Sequence, residues 1–264
     1  MELIKKLRDI TGAGMVDCQK ALKEANNDLE KAVDILRKKG IAKAAKRTDK
    51  ETNEGIIKVT VNPDNNQGYI FELNSETDFV ARNEKFQEFA NQVALLIQKT
   101  NPNTLEELLT LDMAGLSVAD ALNNLSGTIG EKMEIKRFAR LSGQTVAAYS
   151  HLGGKIGVLV ALDQGEQSDL AVDVAMQIAA ANPKYLEPKD VSSEEMEREK
   201  EIYKEQLLKE GKPAEMVEKI VMGKMGKYYS EVCLLEQEYI KDDKKKVKDI
   251  LGSAKVLGFL RYSL

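Results

Sequence analysis

The sequence is poor in the residues from which most catalytic and metal sites are built. It contains no tryptophan and only 5% aromatic residues, so aliphatic side chains must do most of the packing. His151 is the single histidine, which excludes a histidine-rich zinc site and leaves no second imidazole for a Ser-His-Asp set. Beside Gly153 and Gly154 in a predicted hairpin, it is more typical of a structural or surface contact than of a general base. Cys18 and Cys233 lack metal-ligand spacing, and we expect two buried thiols in a reducing compartment.

The motifs of nucleotide chemistry are missing as well. The sequence has no GxxxxGK[ST] phosphate loop, and the glycine-rich segment 151–157 leads into a predicted strand, whereas a dinucleotide-binding fingerprint leads into a helix. Glu76 and Asp78 could be imagined as an acid–base pair, but nothing around them indicates the burial that would give them different proton affinities. We therefore expect a protein that makes and breaks no covalent bonds and that carries no cofactor and no metal ion.

Charge of one sign is not in excess, and long apolar runs are absent. The formal net charge is -4, with acidic and basic residues interleaved, which argues against nucleic acid as the main ligand. No apolar run is long enough to span a bilayer, so we expect no membrane partner. The segment Met1–Asp9 is charged throughout and lacks the apolar region of a signal peptide. A content of 42% hydrophobic and 31% charged residues is ordinary for a soluble protein, and we expect a cytoplasmic location.

The first 40 residues are predicted to form three short helices, because apolar residues recur in them at helical spacing. A Thr-Gly-Ala-Gly sequence at 11–14 marks the end of the first helix. The pattern resembles a UBA-like three-helix module, a fold that usually binds partners through the loop after its first helix. A small domain that acts only as a spacer is the alternative. Residues 41–54 are polar and have no apolar stripe, which predicts a linker.

The central part of the chain is predicted to be a duplicated α/β core of antiparallel strands with packed helices. We expect the first copy at residues 55–130 and the second at 131–182, because strands, a glycine-containing hairpin and a helix follow one another in both. Two short helices within 104–128 connect the copies. The predicted strands are 55–61 and 69–73, then 133–141, 146–152 and 156–162, and the predicted main helices are 84–98 and 169–180.

The last third of the chain is predicted to differ from the core, because it begins with charged helices in place of alternating strands and helices. Residues 183–226 carry a narrow apolar stripe on two charged helices, which is typical of an antiparallel helical hairpin that projects from the body. A hairpin that lies flat on the core is the alternative. Residues 227–264 are predicted to return to the core and form a C-terminal helical module, with a final helix in 247–260 before a short strand. The whole pattern predicts an α+β protein.

The segment Glu72–Asn83 joins a predicted strand to a predicted helix, and it carries the large apolar Phe79. Such loops often present functional groups. Two interpretations are open: Phe79 and Val80 fold back onto Phe86 as a hydrophobic staple, or Phe79 is exposed for a partner. The corresponding segment of the second copy, 163–168, has no aromatic residue. A residue needed only as a staple should recur there, so this difference favours a binding role.

Two segments are specific enough to identify a family. Leu7–Leu22 and Glu72–Arg82 resemble the two signature segments of bacterial elongation factor Ts, and the likeness extends over the whole chain in the order of its modules. The resemblance implies guanine nucleotide exchange on elongation factor Tu, the GTPase that carries aminoacyl-tRNA to the ribosome. The partner would be bound in its GDP-bound and nucleotide-free forms, with a higher-order assembly of the two left open.

The resemblance also implies which residues contact the partner. Residues Thr77–Asn83, here called the tip, would reach its nucleotide site, with Phe79 wedged between partner helices and Asp78 near the Mg²⁺ region. The N-terminal module would contact the GTPase domain, and the second core copy another domain. The implied contact residues are Thr77, Asp78, Phe79, Val80, Arg82 and Asn83 in the tip, Arg8 and Met15 in the N-terminal module, and His151 in the second copy.

Three other functions compete with nucleotide exchange. A UBA-type adaptor without exchange activity would use the core as a scaffold, and its N-terminal module would suffice for partner binding. An RNA-binding translation protein would bind with a steep salt dependence, which the net charge of -4 makes a poor fit. A hydrolase that used the tip carboxylates would need to turn over a small substrate.

Overall fold

The computed structural model describes residues 1–45, 47 and 49–264, with the side chains of 41–45 left aside. The N-terminal module consists of α1 (Glu2–Thr11), α2 (Met15–Glu24) and α3 (Leu29–Ala45). Gly12 ends α1 in a left-handed conformation (φ 69°), and its N–H donates to the Arg8 carbonyl at 2.7 Å. The apolar stripes of the helices meet in a small core formed by Leu7, Cys18, Ala21, Leu22, Ala25 and Ala32.

The linker predicted at 41–54 begins later than expected. Helix α3 continues to Ala45, because alanine-rich sequence without glycine or proline after Gly40 sustains the helix even where the apolar stripe has ended. Positions 46 and 48 of the predicted linker lie outside the described residues. Both cysteines are buried free thiols, as predicted.

The first half of the core is a three-stranded antiparallel sheet of order β1-β2-β3, covered on one face by helices. Asn62 shapes the β1–β2 hairpin, because its side-chain oxygen accepts from the N–H groups of Asn66 and Gln67, both at 3.0 Å. Apolar residues on one face of β2 pack against α5. The elements are β1 (Glu54–Val61), β2 (Gln67–Ser75), α4 (Asp78–Ala81), α5 (Glu84–Thr100), α6 (Leu105–Thr110), α7 (Val118–Ile129) and β3 (Met133–Ser142).

The predicted boundary between the two core copies, at 130/131, is wrong. Strand β3 pairs with β2, with Phe71 opposite Phe138, and therefore completes the first sheet. The second sheet consists, in order, of β4 (Thr145–His151), β5 (Ile156–Leu162) and β8 (Val256–Ser263), so its third strand comes from the end of the chain. Each sheet thus consists of a hairpin and a third antiparallel strand that follows after helices. Alternation of apolar residues predicts a strand, but it does not say which neighbour the strand pairs with.

The two sheets pack face to face. Ile57 and Ile70 of the first sheet and Leu159 of the second are buried between them. Gly157 allows this approach, because a Cβ there would lie 2.4 Å from Cγ2 of Ile57. Helix α8 covers the outer face of the second sheet. The elements of this half are β4 (Thr145–His151), β5 (Ile156–Leu162), α8 (Ser168–Ala181) and, near the C-terminus, β8 (Val256–Ser263).

The helical hairpin consists of α9 (Ser193–Lys209) and α10 (Ala214–Val232). It has a hydrophobic cluster of its own, which includes Leu207, Val217, Val221, Met225 and Tyr228. The predicted end of the hairpin at residue 226 is therefore too early, since Tyr228 packs within this cluster. At the base of the hairpin, Glu195 accepts hydrogen bonds from the hydroxyl groups of Tyr185 and Tyr228, at 2.5 and 2.6 Å.

The C-terminal segment contains more strand than predicted. It forms β6 (Glu238–Tyr239), β7 (Asp242–Lys246) and a single helical turn, α11 (Val247–Ile250), before β8. The helix predicted in 247–260 ends early because Gly252 adopts φ 59° and the following residues pair with β5. In the part of the chain that the structure describes, we find no helix with the length and apolar character needed to cross a membrane.

Candidate functional site

The tip is a single helical turn with its two apolar side chains pointing to opposite environments. Thr77 is the N-cap of α4, and its Oγ1 accepts from the Val80 N–H at 3.4 Å. Val80 is 8% exposed and packs in the first core cluster, whereas Phe79 is 82% exposed. Val80 therefore fills the place of a hydrophobic staple, and Phe79 stands in solvent.

The tip is fixed at its C-terminal side by the start of α5. Asn83 caps α5 by accepting from the Lys85 N–H at 2.9 Å. Gln87 reaches back and donates from Nε2 to the Ala81 carbonyl at 2.6 Å. With these contacts, the backbone on both sides of Phe79 is hydrogen-bonded, although the Phe79 ring itself is exposed.

Two opposite charges flank Phe79. Asp78 and Arg82 form an ion pair one helical turn apart, with 3.0 Å between Arg82 Nη2 and an Asp78 carboxylate oxygen. Exposed pairs of this spacing contribute only about 0.3–0.5 kcal/mol. The pair can therefore open at little cost, which leaves both groups available to a binding partner.

Two carboxylates, Glu131 and Glu76, lie beneath the tip. From the sequence, Glu76 was considered only as a possible acid or base, and Glu131 was not singled out. Glu131 accepts from the Thr77 N–H at 3.0 Å and from the Thr77 hydroxyl at 2.8 Å. Glu76 accepts from the Lys132 N–H at 2.6 Å and pairs with Arg47 at 3.1 Å. The Lys132 N–H, and with a smaller effect Arg47, hold the pKa of the Glu76 carboxyl below its usual value against the opposing effect of burial.

The N-terminal module presents an exposed apolar surface beside the turn at 11–14. Arg8 and Met15, both inferred from the family resemblance, are exposed there, Met15 to 46%. Ile10 and Val16 are exposed to a still greater extent. Sequence reasoning did not single out these two, although each is an apolar residue next to a glycine-rich turn. Single exposed apolar residues are common, but several around one turn are typical of a binding surface.

The module lies against the first half of the core, close to the base of the tip. A cleft of about 1180 Å³ separates the two, and both Ile10 of the module and Glu76 before the tip line it. Helix α3 crosses α7 with Gly40 against Gly127. The structure thus places the module and the tip on neighbouring parts of the molecule.

His151 is the last residue of β4, next to the β4–β5 turn, and its Nδ1 is 3.2 Å from the Tyr149 hydroxyl oxygen. The next residue, Leu152, is 65% exposed. This turn packs against the start of β1, where Lys155 and Glu54 approach to 3.7 Å. Since Glu54 is paired with Ser75 at the end of β2, the turn and the tip lie at the same end of the two sheets.

The chain was compared with known protein families and proteins. The family model described as "Elongation factor TS" matches residues 76–264, and a model described as a "UBA-like domain" matches residues 1–42. An elongation factor Ts from Chlorobaculum tepidum is 45% identical over 99% of this chain and 96% of its own length. One from Clostridium perfringens is 49% identical over 94% of this chain and 84% of its own, and one from Nitratiruptor sp. is 45% identical over 99% and 91%. The chain therefore belongs to the elongation factor Ts family of translation elongation factors.

Proposed function

We propose that this chain binds elongation factor Tu and promotes the release of GDP from it, so that GTP can replace GDP. The observation that carries this proposal is Phe79, which is 82% exposed on a helical turn whose backbone is held on both sides. Exposing a large aromatic ring on a rigid support is unfavourable for the free protein and becomes favourable when a partner buries the ring. The chain acts by binding and performs no covalent chemistry.

Exchange follows from a difference in binding free energy. If this chain binds nucleotide-free elongation factor Tu more tightly than the GDP-bound form, linkage requires that its binding weakens GDP by the same factor. A difference of about 4 kcal/mol loosens the nucleotide roughly a thousandfold. Burial of Phe79 in a site that opens only when the partner rearranges contributes to that difference, because the buried area exists in one state and not in the other.

Asp78 has a separate role in the proposal. Its carboxylate lies directly before Phe79 and is held only by the exposed pair with Arg82. Mg²⁺ in a nucleotide site requires a nearly ideal octahedral arrangement of oxygen ligands. A carboxylate brought close to the partner's Mg²⁺ disturbs the water and hydroxyl ligands of the metal, and the phosphate groups of GDP lose part of their binding energy.

Contacts away from the tip add affinity and orient the partner. Arg8, Met15 and the neighbouring exposed apolar residues of the N-terminal module form a second contact, and His151 with Leu152 a third. Because the module borders the base of the tip and the His151 turn lies at the same end of the sheets, one partner can reach all three. Several contacts on one rigid body combine into a tighter complex than each gives alone.

The test is the release of a fluorescent GDP analogue from elongation factor Tu, followed by stopped flow. We expect strong acceleration by the wild-type chain and a loss of roughly tenfold or more in Phe79→Ala, because a buried aromatic anchor typically contributes 2 kcal/mol or more. Leu95→Ala is the matched control, since Leu95 is also a large apolar residue, 65% exposed, on α5. This control variant should exchange like wild type.

Each other outcome has a defined meaning. Equal acceleration by wild type and Phe79→Ala would keep the exchange function and remove Phe79 from the mechanism. No acceleration by wild type, with binding of elongation factor Tu retained, would overturn the proposal in favour of an adaptor. If the wild-type chain neither accelerates release nor binds elongation factor Tu, it does not share the proposed function.

A further inference from the structure

We propose that Glu131 is a positioning residue that holds the tip in the orientation required for exchange. The inference rests on the proposed function and deepens it. Glu131 lies 54 residues from Thr77 in the sequence, yet each of its two carboxylate oxygens accepts one hydrogen bond from that single residue. The two donors are the backbone N–H and the hydroxyl of Thr77, at 3.0 and 2.8 Å.

This geometry fixes the direction in which α4 starts. Thr77 also receives the Ser75 hydroxyl on its carbonyl oxygen at 2.9 Å, and its own Oγ1 accepts from the Val80 N–H. All the polar groups of Thr77 are therefore engaged. Since the N-cap residue sets the entry of the chain into its helix, the rotation of α4, and with it the direction of the Phe79 ring, depends on how Thr77 is held.

Glu131 is itself firmly placed. It follows Gly130, which ends α7 with φ 90°, and its carbonyl oxygen accepts from the Ser126 hydroxyl at 2.6 Å. The next residue, Lys132, donates its backbone N–H to Glu76. The segments 76–77 and 131–132 are thus joined by hydrogen bonds in both directions. Glu131 accepts from Thr77, and Glu76 accepts from Lys132. Charge-assisted hydrogen bonds of this kind are stronger than neutral ones, and a bidentate arrangement adds directional specificity.

The contact also relates the tip to the N-terminal module. Helix α7 ends at Ile129, two residues before Glu131, and packs against α3 of the module. Arg47, which follows α3 in the sequence, pairs with Glu76 on the other side of the contact. The segments 76–77 and 131–132, the second of which follows α7, therefore connect the N-terminal module to the tip. Glu131 therefore fixes the orientation of Phe79 relative to the N-terminal module, which forms the second contact with the partner.

Removal of the carboxylate should reduce exchange without unfolding the protein, because Val80 and the rest of the first core cluster remain in place. We expect Glu131→Ala to lower the accelerated rate of GDP-analogue release about tenfold, since a poorly oriented anchor must be ordered on binding. Glu131→Gln should also lower it, because its amide NH₂ would face a Thr77 donor. Glu106→Gln, the same charge change on exposed α6, is the control.

Three measurements separate positioning from a general loss of structure. The urea midpoint of Glu131→Ala should stay near that of wild type. Amide hydrogen exchange of residues 77–81 should become about tenfold faster or more, with the rest of the chain unchanged. In a Phe79→Ala background, Glu131→Ala should cause little additional loss of exchange activity, because residues that act through one another are not additive.

The proposal is overturned if Glu131→Ala exchanges at the wild-type rate, or if its effect is equally large with and without Phe79. Failure of the proposed function would look different, because then the wild-type chain itself would not accelerate release. In that case Glu131 has no role in nucleotide exchange. Hydrogen exchange of residues 77–81 then decides whether Glu131 orders the tip at all, and unchanged protection in Glu131→Ala would remove that role too.

Discussion

Phe79 and Val80 show at the scale of single residues how one helical turn places one apolar side chain in solvent and its neighbour in the core. The two residues are neighbours in the sequence and similar in hydrophobicity, but Val80 is 8% exposed and Phe79 82%. Consecutive positions of a helix point about 100° apart, so a turn that buries one of them turns the other away from the core. The staple interpretation therefore fits Val80 but not Phe79, and the binding role of Phe79 remains the proposal made above.

Their difference in burial predicts opposite phenotypes. Val80→Ala should lower the free energy of unfolding by about 2 kcal/mol, because it removes two buried methyl groups and leaves a cavity. Phe79→Ala should change it by less than about 0.5 kcal/mol, because the ring is in solvent. Urea denaturation followed by circular dichroism measures both. A Phe79→Ala variant as unstable as Val80→Ala would mean that the ring packs on the protein in solution.

The crossing of α3 and α7 shows at the scale of elements how the N-terminal module is attached. A Cβ on Gly127 would lie 2.4 Å from the Gly40 Cα and 2.5 Å from the Gly40 oxygen. A Cβ on Gly40 would lie 3.7 Å from the Gly127 Cα, an ordinary contact. The two glycines therefore face the same crossing with different space around them. Close backbone approach is required at Gly127, and any larger residue there must push the helices apart.

This asymmetry can be tested with the same substitution at both positions. Gly127→Ala should destabilise the protein by about 1–3 kcal/mol, the usual cost of overpacking. Gly40→Ala should be neutral or stabilise it by up to about 1 kcal/mol, because alanine is the better helix former and has room. Thermal unfolding of the two variants beside wild type gives the comparison. Equal destabilisation by both would indicate that the helices cross at a different point.

A charged contact between the sheets acts at the scale of the whole molecule. Glu72 lies in β2, the strand that leads to the tip, and is only 2% exposed. Arg137 in β3 donates to it from Nε at 2.5 Å. The same guanidinium lies 3.8 Å from the centre of the Tyr262 ring and donates to the Ser263 carbonyl at 3.1 Å, both in β8. One side chain thus joins the first sheet to the strand that completes the second.

Arg137→Ala should destabilise the protein by about 2 kcal/mol, because it leaves a buried carboxylate without its main partner, although partial exposure of Arg137 moderates the loss. Adding Glu72→Gln should recover part of this loss, since the unpaired charge is then removed. Arg140→Ala, on the exposed part of the same strand, should have little effect. The test is chemical denaturation of four variants: Arg137→Ala, Glu72→Gln, the double variant and Arg140→Ala. Additive effects of Arg137→Ala and Glu72→Gln would contradict a direct interaction.

The site was predictable from the sequence only where its signal is local. The Thr-Asp-Phe-Val sequence, the cap at Asn83 and the turn at 11–14 are each formed by residues that are neighbours in the sequence. These local signals identified the tip and the N-terminal module. Glu131 carries no such signal, because a glutamate after a helix-ending glycine resembles any solvated residue of a loop. Its importance depends on a hydrogen bond across 54 residues, which no pattern of neighbouring residues encodes.

The sequence by itself determined the family, the mixed α and β class, and the approximate positions of most helices and strands, because capping residues and apolar periodicity act within a few residues. Only the tertiary structure decided that β3 completes the first sheet, that β8 completes the second, and that Val80 rather than Phe79 faces the core. It also brought the turn at His151 to the same end of the sheets as the tip. These features depend on strand pairing and on packing between distant segments, and their energies are set by contacts that exist only once the chain has folded.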